Sequence, residues 1–314
     1  MASKLHVTNG DAIVPEIEAV APDDPVLPWR DILHEGPVPG GIDDAMLRAE
    51  RAAFVAREGW GDGVVMLELF ERRDQKLLRG ADELELWLWF EDDLYDQLQL
   101  LQILDMLARH VPADATQQLR DVSRSAEREI LAEHTVGDGT RRAARRAWAA
   151  FRSSDPRKWT SIEAPELPHL GPAMRRLAQE LPWTRDGLSR TERTALAAVA
   201  DGADNPLDMF RALQGAEERP FMGDYWAWRT LHRLGTGERP LIVTAVAPRP
   251  EITTEFASQS YEVTDVGHAV LAARADHAEL NGIDRWIGGV HLTGHRPAWR
   301  WDPVEDAVVA ATRP

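Results

Sequence analysis

LELWLWF, residues Leu84 to Phe90, is the stretch whose reading decides the fold. Leu84, Leu86, Leu88 and Phe90 alternate with Glu85, Trp87 and Trp89, the period of two that a β-strand imposes. Large apolar groups stand on both faces near its end, which predicts a strand covered on both sides, as in a parallel sheet. Glu91, Asp92 and Asp93 follow at once. Asp93 has the chemistry of a helix cap, since its carboxylate can accept from the unpaired amides of a first turn. The helix it starts is expected to run to about Arg109 on Leu94, Leu98, Leu101, Leu104 and Met106.

Upstream, KLHVT (Lys4 to Thr8) reads as a short strand that ends at Asn9-Gly10-Asp11, a turn signal because these residues tolerate left-handed backbone angles. A helix follows, with Pro15 tolerated in its first turn. Pro25 to Trp29 reads as a second strand and leads into Arg30-Asp31-Ile32-Leu33-His34-Glu35-Gly36-Pro37, a loop closed by Gly and Pro. Helices are expected over 43–57 and 64–78, and residues 118–123 are a strand pattern broken by Arg120 and Asp121. Strand and helix alternate, so the expected class is α/β: a parallel, Rossmann-like sheet with flanking helices over 1–136.

Residues 139–152 and 170–181 look helical and amphipathic, and predict a helical bridge over 137–183. The remainder, 184–314, opens with Ser189 and Glu192 at capping-box spacing, then Asn205-Pro206 as a second helix start, then a helix over 224–234 stopped by Gly235. Strand-like segments follow at 241–246, 285–292 and 299–302. Three short helices and then strands is the order of a winged helix-turn-helix.

HVTNGD (His6 to Asp11), PWRDILHEGPVP (Pro28 to Pro39) and WFEDDLYDQLQLLQ (Trp89 to Gln102) resemble the bacterial family described as domain of unknown function 1835. LSRTER (Leu188 to Arg193), RPFMGDYW (Arg219 to Trp226) and RWIGGVHL (Arg285 to Leu292) resemble the region that follows it in actinobacterial members. The resemblance implies an α/β domain followed by a winged-helix-like region, and it brings no activity with it. Members often have Ser where this chain has Ala12 and His where it has Asp92, and 113–134 lacks the usual apolar strand and glycine-rich loop. Chemistry that depends on that Ser or His would be lost or changed here.

Composition narrows the function classes. The chain has 314 residues, enough for two domains of ordinary size. Its formal net charge is −16, which opposes non-specific binding to nucleic acid or to an anionic membrane. Without cysteine it can form no disulfide, thiolate nucleophile or Cys-ligated metal site. Met1 to Gly10 lacks the apolar run of a signal peptide, and no stretch approaches ~18 apolar residues, so no membrane partner is expected and the expected location is the cytoplasm.

In an open parallel sheet, ligands bind outside the carboxyl ends of the strands. The polar residues that follow the three strands are Asn9 and Asp11, then Asp31 and His34, then Glu91, Asp92, Asp93 and Asp96. Asp11, Asp31, His34 and Glu91 therefore form the candidate catalytic set, with Asn9, Gly10, Arg30, Asp92 and Gln97 as candidate substrate contacts. Carboxylates with one imidazole suit a divalent metal such as Mg²⁺ or Mn²⁺. Alternatively, crowding raises one carboxylate's pKa and gives an acid/base pair without metal. Each residue also has a structural alternative: a cap for Asp11, pairing with Arg30 or a turn amide for Asp31, a buried backbone contact for His34, and a solvated strand end for Glu91 and Asp92.

Familiar signatures are absent. Ala12 stands where a GDS-type hydrolase needs serine, and there is no G-x-G-x-x-G, Walker A or G-x-S-x-G run. His291 and His295 have i, i+4 spacing, but Gly294 and Pro297 argue against the helix a zinc pair would need. The leading expectation is an enzyme or ligand-binding protein acting on a small polar or phosphorylated molecule at the strand ends. The alternatives are a winged-helix regulator whose Arg229 and Arg233 share a helix face, and a non-enzymatic scaffold. The region around those arginines holds as many acidic residues as arginines and no lysine, which disfavours DNA as a partner.

Overall fold

The computed structural model describes residues 4–112, 117–122, 130–243, 246–247 and 253–311. The first strand, β1 (Lys4–Thr8), leads through α1 (Val14–Val20) to β2 (Val26–Pro28), and the loop after it contributes a two-residue strand, β3 (Gly36–Pro37). Two long helices follow, α2 (Asp44–Arg57) and α3 (Gly63–Glu83), then β4 (Glu85–Phe90) and α4 (Leu94–His110). Asp43, Asp62 and Asp93 cap these three helices through their carboxylates, the last accepting from the Asp96 amide at 3.1 Å. The expected cap at Asp11 is not made: Ile13 occupies the N-cap of α1 with no side-chain bond.

Strands β5 (Gln117–Val122) and β6 (Ile130–Thr135) complete a five-stranded sheet of order β2-β1-β4-β5-β6. The first four strands run parallel and β6 runs antiparallel to β5. The strand expected over 118–123 is thus present despite Arg120 and Asp121; Ser123 lies outside the described residues. Burial of the sheet is uneven: β1 is buried on both faces, whereas β4 is fully buried on one. Leu86, Leu88 and Phe90 are buried while Glu85, Trp87 and Trp89 remain partly exposed. Both long crossover helices, α3 and α4, pack against β4, whereas α1 buries only Ile17. The two Trp rings satisfy themselves within their own face, with Lys4 3.4 Å over Trp87 and the Trp89 indole donating to His6 at 2.9 Å.

Helices α5 (Asp138–Phe151), α6 (Arg157–Thr160) and α7 (Leu170–Ala178) occupy the segment expected to be helical, and α5 and α7 both pack on α4. Then come α8 (Arg190–Ala200), α9 (Pro206–Gly215) and α10 (Asp224–Leu234). The capping box at Ser189 and Glu192 forms in full. Within the strand expected over 241–246, β7 (Ile242–Val243) is present, and residues 244–245 lie outside those described. After α11 (Thr254–Ala257), β8 (Glu262–Val263), α12 (Asp265–Leu271) and α13 (His277–Asn281), the expected strand over 285–292 is a hairpin instead. Its arms are β9 (Ile283–Gly288) and β10 (Val290–Gly294), and the chain ends in a second hairpin, β11 (Trp299–Asp302) with β12 (Ala307–Ala310).

One pairing ties the two ends of the chain together. Gly36 and Pro37 align parallel to Ile287 and Gly288, so β3 adds a third strand to the β9–β10 hairpin. Gly36 has φ +79°, and a Cβ there would lie 2.6 Å from the Phe54 ring, so only glycine fits. The loop that carries Asp31, His34 and Glu35 is therefore fixed between the sheet and the C-terminal hairpin. Among the described residues, no helix is long and apolar enough to cross a membrane.

Candidate functional site

The strand-end residues divide by environment. Asp11 is exposed and pairs with Arg30, which is also exposed and holds a left-handed φ of 54° at the end of β2. Gly10 has no such angle and its carbonyl accepts from the Thr8 hydroxyl at 2.8 Å. Asn9 donates to Asp96 at 2.7 Å, tying the end of β1 to α4. Asp96 also accepts from the Glu91 amide at 2.6 Å, and Gln97 donates to the Glu91 carbonyl at 2.7 Å. Burial, then the nearby Asp93 carboxylate, pushes the Asp96 pKa well up. These contacts shape the turn between β4 and α4, so Asn9 and Gln97 have structural duties.

Asp31 lies on the opposite side of its loop, with no exposed surface. It accepts from Arg51 at 2.8 and 3.1 Å, and its carbonyl accepts from Gln99 at 2.6 Å. Its partner is Arg51 of α2, not the adjacent Arg30, because α2 folds back over the loop. Asp11, Asp31, His34 and Glu91 are consequently not a ligand set: one is at the surface and two are in the core. Among the described residues no group of three or more His, Asp or Glu side chains could hold a metal ion, so the expected Mg²⁺ or Mn²⁺ site does not fit this arrangement.

His34 is the unusual group. It is 2 % exposed, and among the described residues neither ring nitrogen has a hydrogen-bond partner. Its ring meets Tyr95 and Phe221 edge to face, at 5.9 and 5.2 Å between centroids. Burial lowers its pKa to about 4 in spite of the Glu35 and Glu180 carboxylates, so the imidazole is neutral at pH 7. A buried donor or acceptor without a partner costs about 1–3 kcal/mol, so packing alone does not explain this residue.

Beside His34 begins a chain of paired charges that runs from Glu35 to Glu217. Glu35 accepts from Arg285 of β9 at 2.7 Å, and Arg233 of α10 stands 3.5 Å away. Arg285 reaches Glu180 at 3.3 Å, and Glu180 accepts from Arg176 at 2.7 Å and from the Thr191 hydroxyl. Arg176 continues to Glu217 at 2.6 Å. Burial alone would raise the Glu180 pKa, but Arg176 and Arg285 hold it down to about 2. Glu35 is likewise kept low by Arg285 and Arg233 against its burial. The sequence reading missed Glu35, Arg176, Glu180 and Arg285. The available signal was an i, i+4 Arg–Glu pair at 176 and 180 flanked by Leu177 and Leu181, a charge pair on an apolar helix face.

Arg176 is also where the charge chain reaches open space. A cleft of about 170 Å³ lies against the carboxyl end of β4, lined by Asp92, Asp93 and Leu94 on one side. Arg175, Arg176, Arg190 and Arg219 face it from α7, the start of α8 and the loop between α9 and α10. Arg219 pairs with Asp92, Arg190 with Glu217 and Arg175 with Asp306. Of the candidate substrate contacts, Asp92 is the one that lines this cleft. His291 does not line it; it stacks on Trp286 and pairs with Asp284 at 2.7 Å.

The arginines of α10 lie on its partly exposed side, and both are engaged by carboxylates of the N-terminal part. Arg229 donates to Glu58 at 2.8 Å, the Tyr225 hydroxyl donates to the Glu58 carbonyl, and Arg233 stands at Glu35. Trp226 stacks on Phe54 at 5.7 Å, which makes it a packing residue. No family model matches the chain, and no curated protein matches it either.

Proposed function

We propose that the protein binds a small anionic molecule, of the phosphorylated class, in the cleft at the carboxyl end of β4. The observation that carries this reading is the convergence of Arg175, Arg176, Arg190 and Arg219 from three separate segments on that cleft. Guanidinium forks match phosphate and carboxylate oxygens two at a time. For Arg219 the present partner does not forbid an exchange, whereas Arg176 is held by Glu180 and Glu217 in largely buried pairs. Arg219 and Asp92 are 38 % and 24 % exposed, and ion pairs of that kind are worth about 1 kcal/mol or less. The net charge of −16 is screened by salt over about 8 Å; inside the cleft an anion meets the four arginines together with the carboxylates of Asp92, Asp93, Glu217 and Glu218, and binds by taking guanidinium groups from them. The volume is below the ~300–1,000 Å³ of pockets that enclose a whole drug-sized ligand, so it suits a phosphate-bearing head group.

The order β2-β1-β4-β5 supports a Rossmann-like reading of the sheet, in which the carboxyl ends are the expected ligand side. The succession α8, α9, α10 and the β7–β8 pair supports the winged-helix reading. DNA reading is not favoured, because Arg229 and Arg233 are engaged with Glu58 and Glu35. The test is calorimetric titration with inorganic pyrophosphate at low salt, comparing the parent with an Arg190→Ala/Arg219→Ala variant. Binding by the parent that weakens at least tenfold in the variant is expected. No binding by the parent, or equal affinity in both, overturns the reading.

A further inference from the structure

The loop between α9 and α10 carries two residues with different duties. Arg219 faces the cleft and pairs with Asp92 across its mouth. Two positions on, Phe221 is buried, with its ring against His34 on one hand and the Arg176 guanidinium, 5.0 Å from the ring centroid, on the other. Phe221 thus packs between Arg176, which lines the cleft, and the imidazole, whose two nitrogens have no hydrogen-bond partner among the described residues.

The loop itself is lightly held. Among the described residues, no backbone–backbone hydrogen bond fixes residues 218–222. What holds them is the Arg219–Asp92 pair, the Gln214 side chain donating to the Met222 carbonyl at 2.7 Å, and the burial of Phe221 and Met222. Segments with few backbone bonds are those that open locally at least cost. Asp92 competes with any anion in the cleft for the same guanidinium.

We propose that residues 218–222 are a lid, and that an anion drawing Arg219 away from Asp92 lets Phe221 withdraw and admits His34 to the cleft as its proton-accepting group. This rests on the anion-binding reading of the cleft. The opened site would hold a phosphate-bearing ligand at the arginines and place a hydroxyl or similar proton donor of that ligand at the imidazole. A neutral imidazole is the form such a role needs, and His34 is in that form at neutral pH. Its cost in unpartnered nitrogens then has a use that packing does not supply.

The test is histidine modification by diethyl pyrocarbonate at pH 7, read residue by residue by mass spectrometry. His291, which is exposed, reports reagent activity. His6, as buried as His34 but on the sheet, reports general loosening. In the free parent His34 and His6 are expected to stay protected. In Arg219→Ala, which removes one exposed ion pair, His34 labelling is expected to rise roughly two- to fivefold with His6 unchanged. Phe221→Ala, if it folds, raises it further. Pyrophosphate is expected to raise His34 labelling in the parent. Equal rises at His34 and His6 in Arg219→Ala, or no rise at His34, overturn the lid. If pyrophosphate binds by calorimetry while His34 stays closed in both arms, the lid fails and the anion site stands. If pyrophosphate does not bind by calorimetry, the anion-opened lid falls together with the anion site.

Discussion

Replacing His34 by leucine, a side chain of similar size, isolates the cost of burying a neutral imidazole. Its folded pKa of about 4 is set by burial, with Glu35 and Glu180 opposing and Arg285 and Arg51 reinforcing the shift, against 6.5 when unfolded. A group whose pKa is lowered by folding contributes stability that is complete above the unfolded value and lost as pH falls toward the folded one. For His34 the window runs from about pH 6.5 down to about 4. At pH 4.5 the loss in the parent is about 2.5 kcal/mol relative to neutral pH. His34→Leu removes that slope and also removes two unpartnered buried nitrogens. It is therefore expected to be at least as stable as the parent at pH 7.5 and about 2 kcal/mol or more better off at pH 4.5. Urea unfolding followed by tryptophan fluorescence at pH 7.5, 6.0 and 4.5 checks this. Parallel stability curves for parent and variant across that range would refute the buried neutral imidazole, because the group would then bind protons equally in both states.

Glu180 should dominate a lower window. Its folded pKa of about 2 lies below the ordinary 4.5, so its contribution is present above pH 4.5 and lost on the way to pH 2; Glu180→Gln is expected to flatten acid unfolding there, measured by circular dichroism. Arg285→Ala leaves Glu35 and Glu180 buried without their shared cation and should cost about 3–5 kcal/mol in denaturant unfolding. Arg229→Ala, whose partner Glu58 is partly exposed, should cost about 1 kcal/mol or less in the same assay, and a comparable loss in both would remove the distinction drawn between them. Gly36→Ala combines a left-handed backbone angle with a clash on the Phe54 ring and should lower stability by roughly 2–4 kcal/mol; an unchanged melting temperature would contradict the tight approach of β3 to α2.

What could be read from the residues was what adjacent residues decide. Asp93 capping α4, the Ser189–Glu192 box and the alternation through β4 rest on spacings of two to four residues, and all appear as expected. The pairing of β3 with β9 joins residues some 250 positions apart, and nothing local to Gly36-Pro37 announces it. Asp31 shows the same limit from the other direction. Its neighbour Arg30 was the obvious partner in sequence, yet the left-handed turn at Arg30 sends that side chain out to Asp11, and Arg51 takes the inward carboxylate. His34 was legible as unusual because a His in a Gly-Pro loop after a strand has few bland roles. The charges around it were not, since Glu35, Glu180 and Arg285 come from three parts of the chain.

That arrangement is not the most economical way to build an interior. Buried ion pairs recover little of what their desolvation costs, and well-packed apolar residues of the same volume often serve stability as well or better. Here the pairs run from Glu35 through Arg285 and Glu180 to Arg176, with contacts of 2.7, 3.3 and 2.7 Å, and Arg176 also lines the cleft. Charges about 4 Å apart at an effective dielectric near 20 couple by roughly 4 kcal/mol, so none of these groups is independent of the next. An anion on Arg176 competes with Glu180 and Glu217 for one guanidinium. Whatever Glu180 loses there strengthens its hold on Arg285, which is the same cation that holds Glu35 beside His34. On the proposed reading, occupancy of the cleft is therefore felt at the imidazole through shared cations as well as through the loop. An apolar junction of equal stability would carry neither signal.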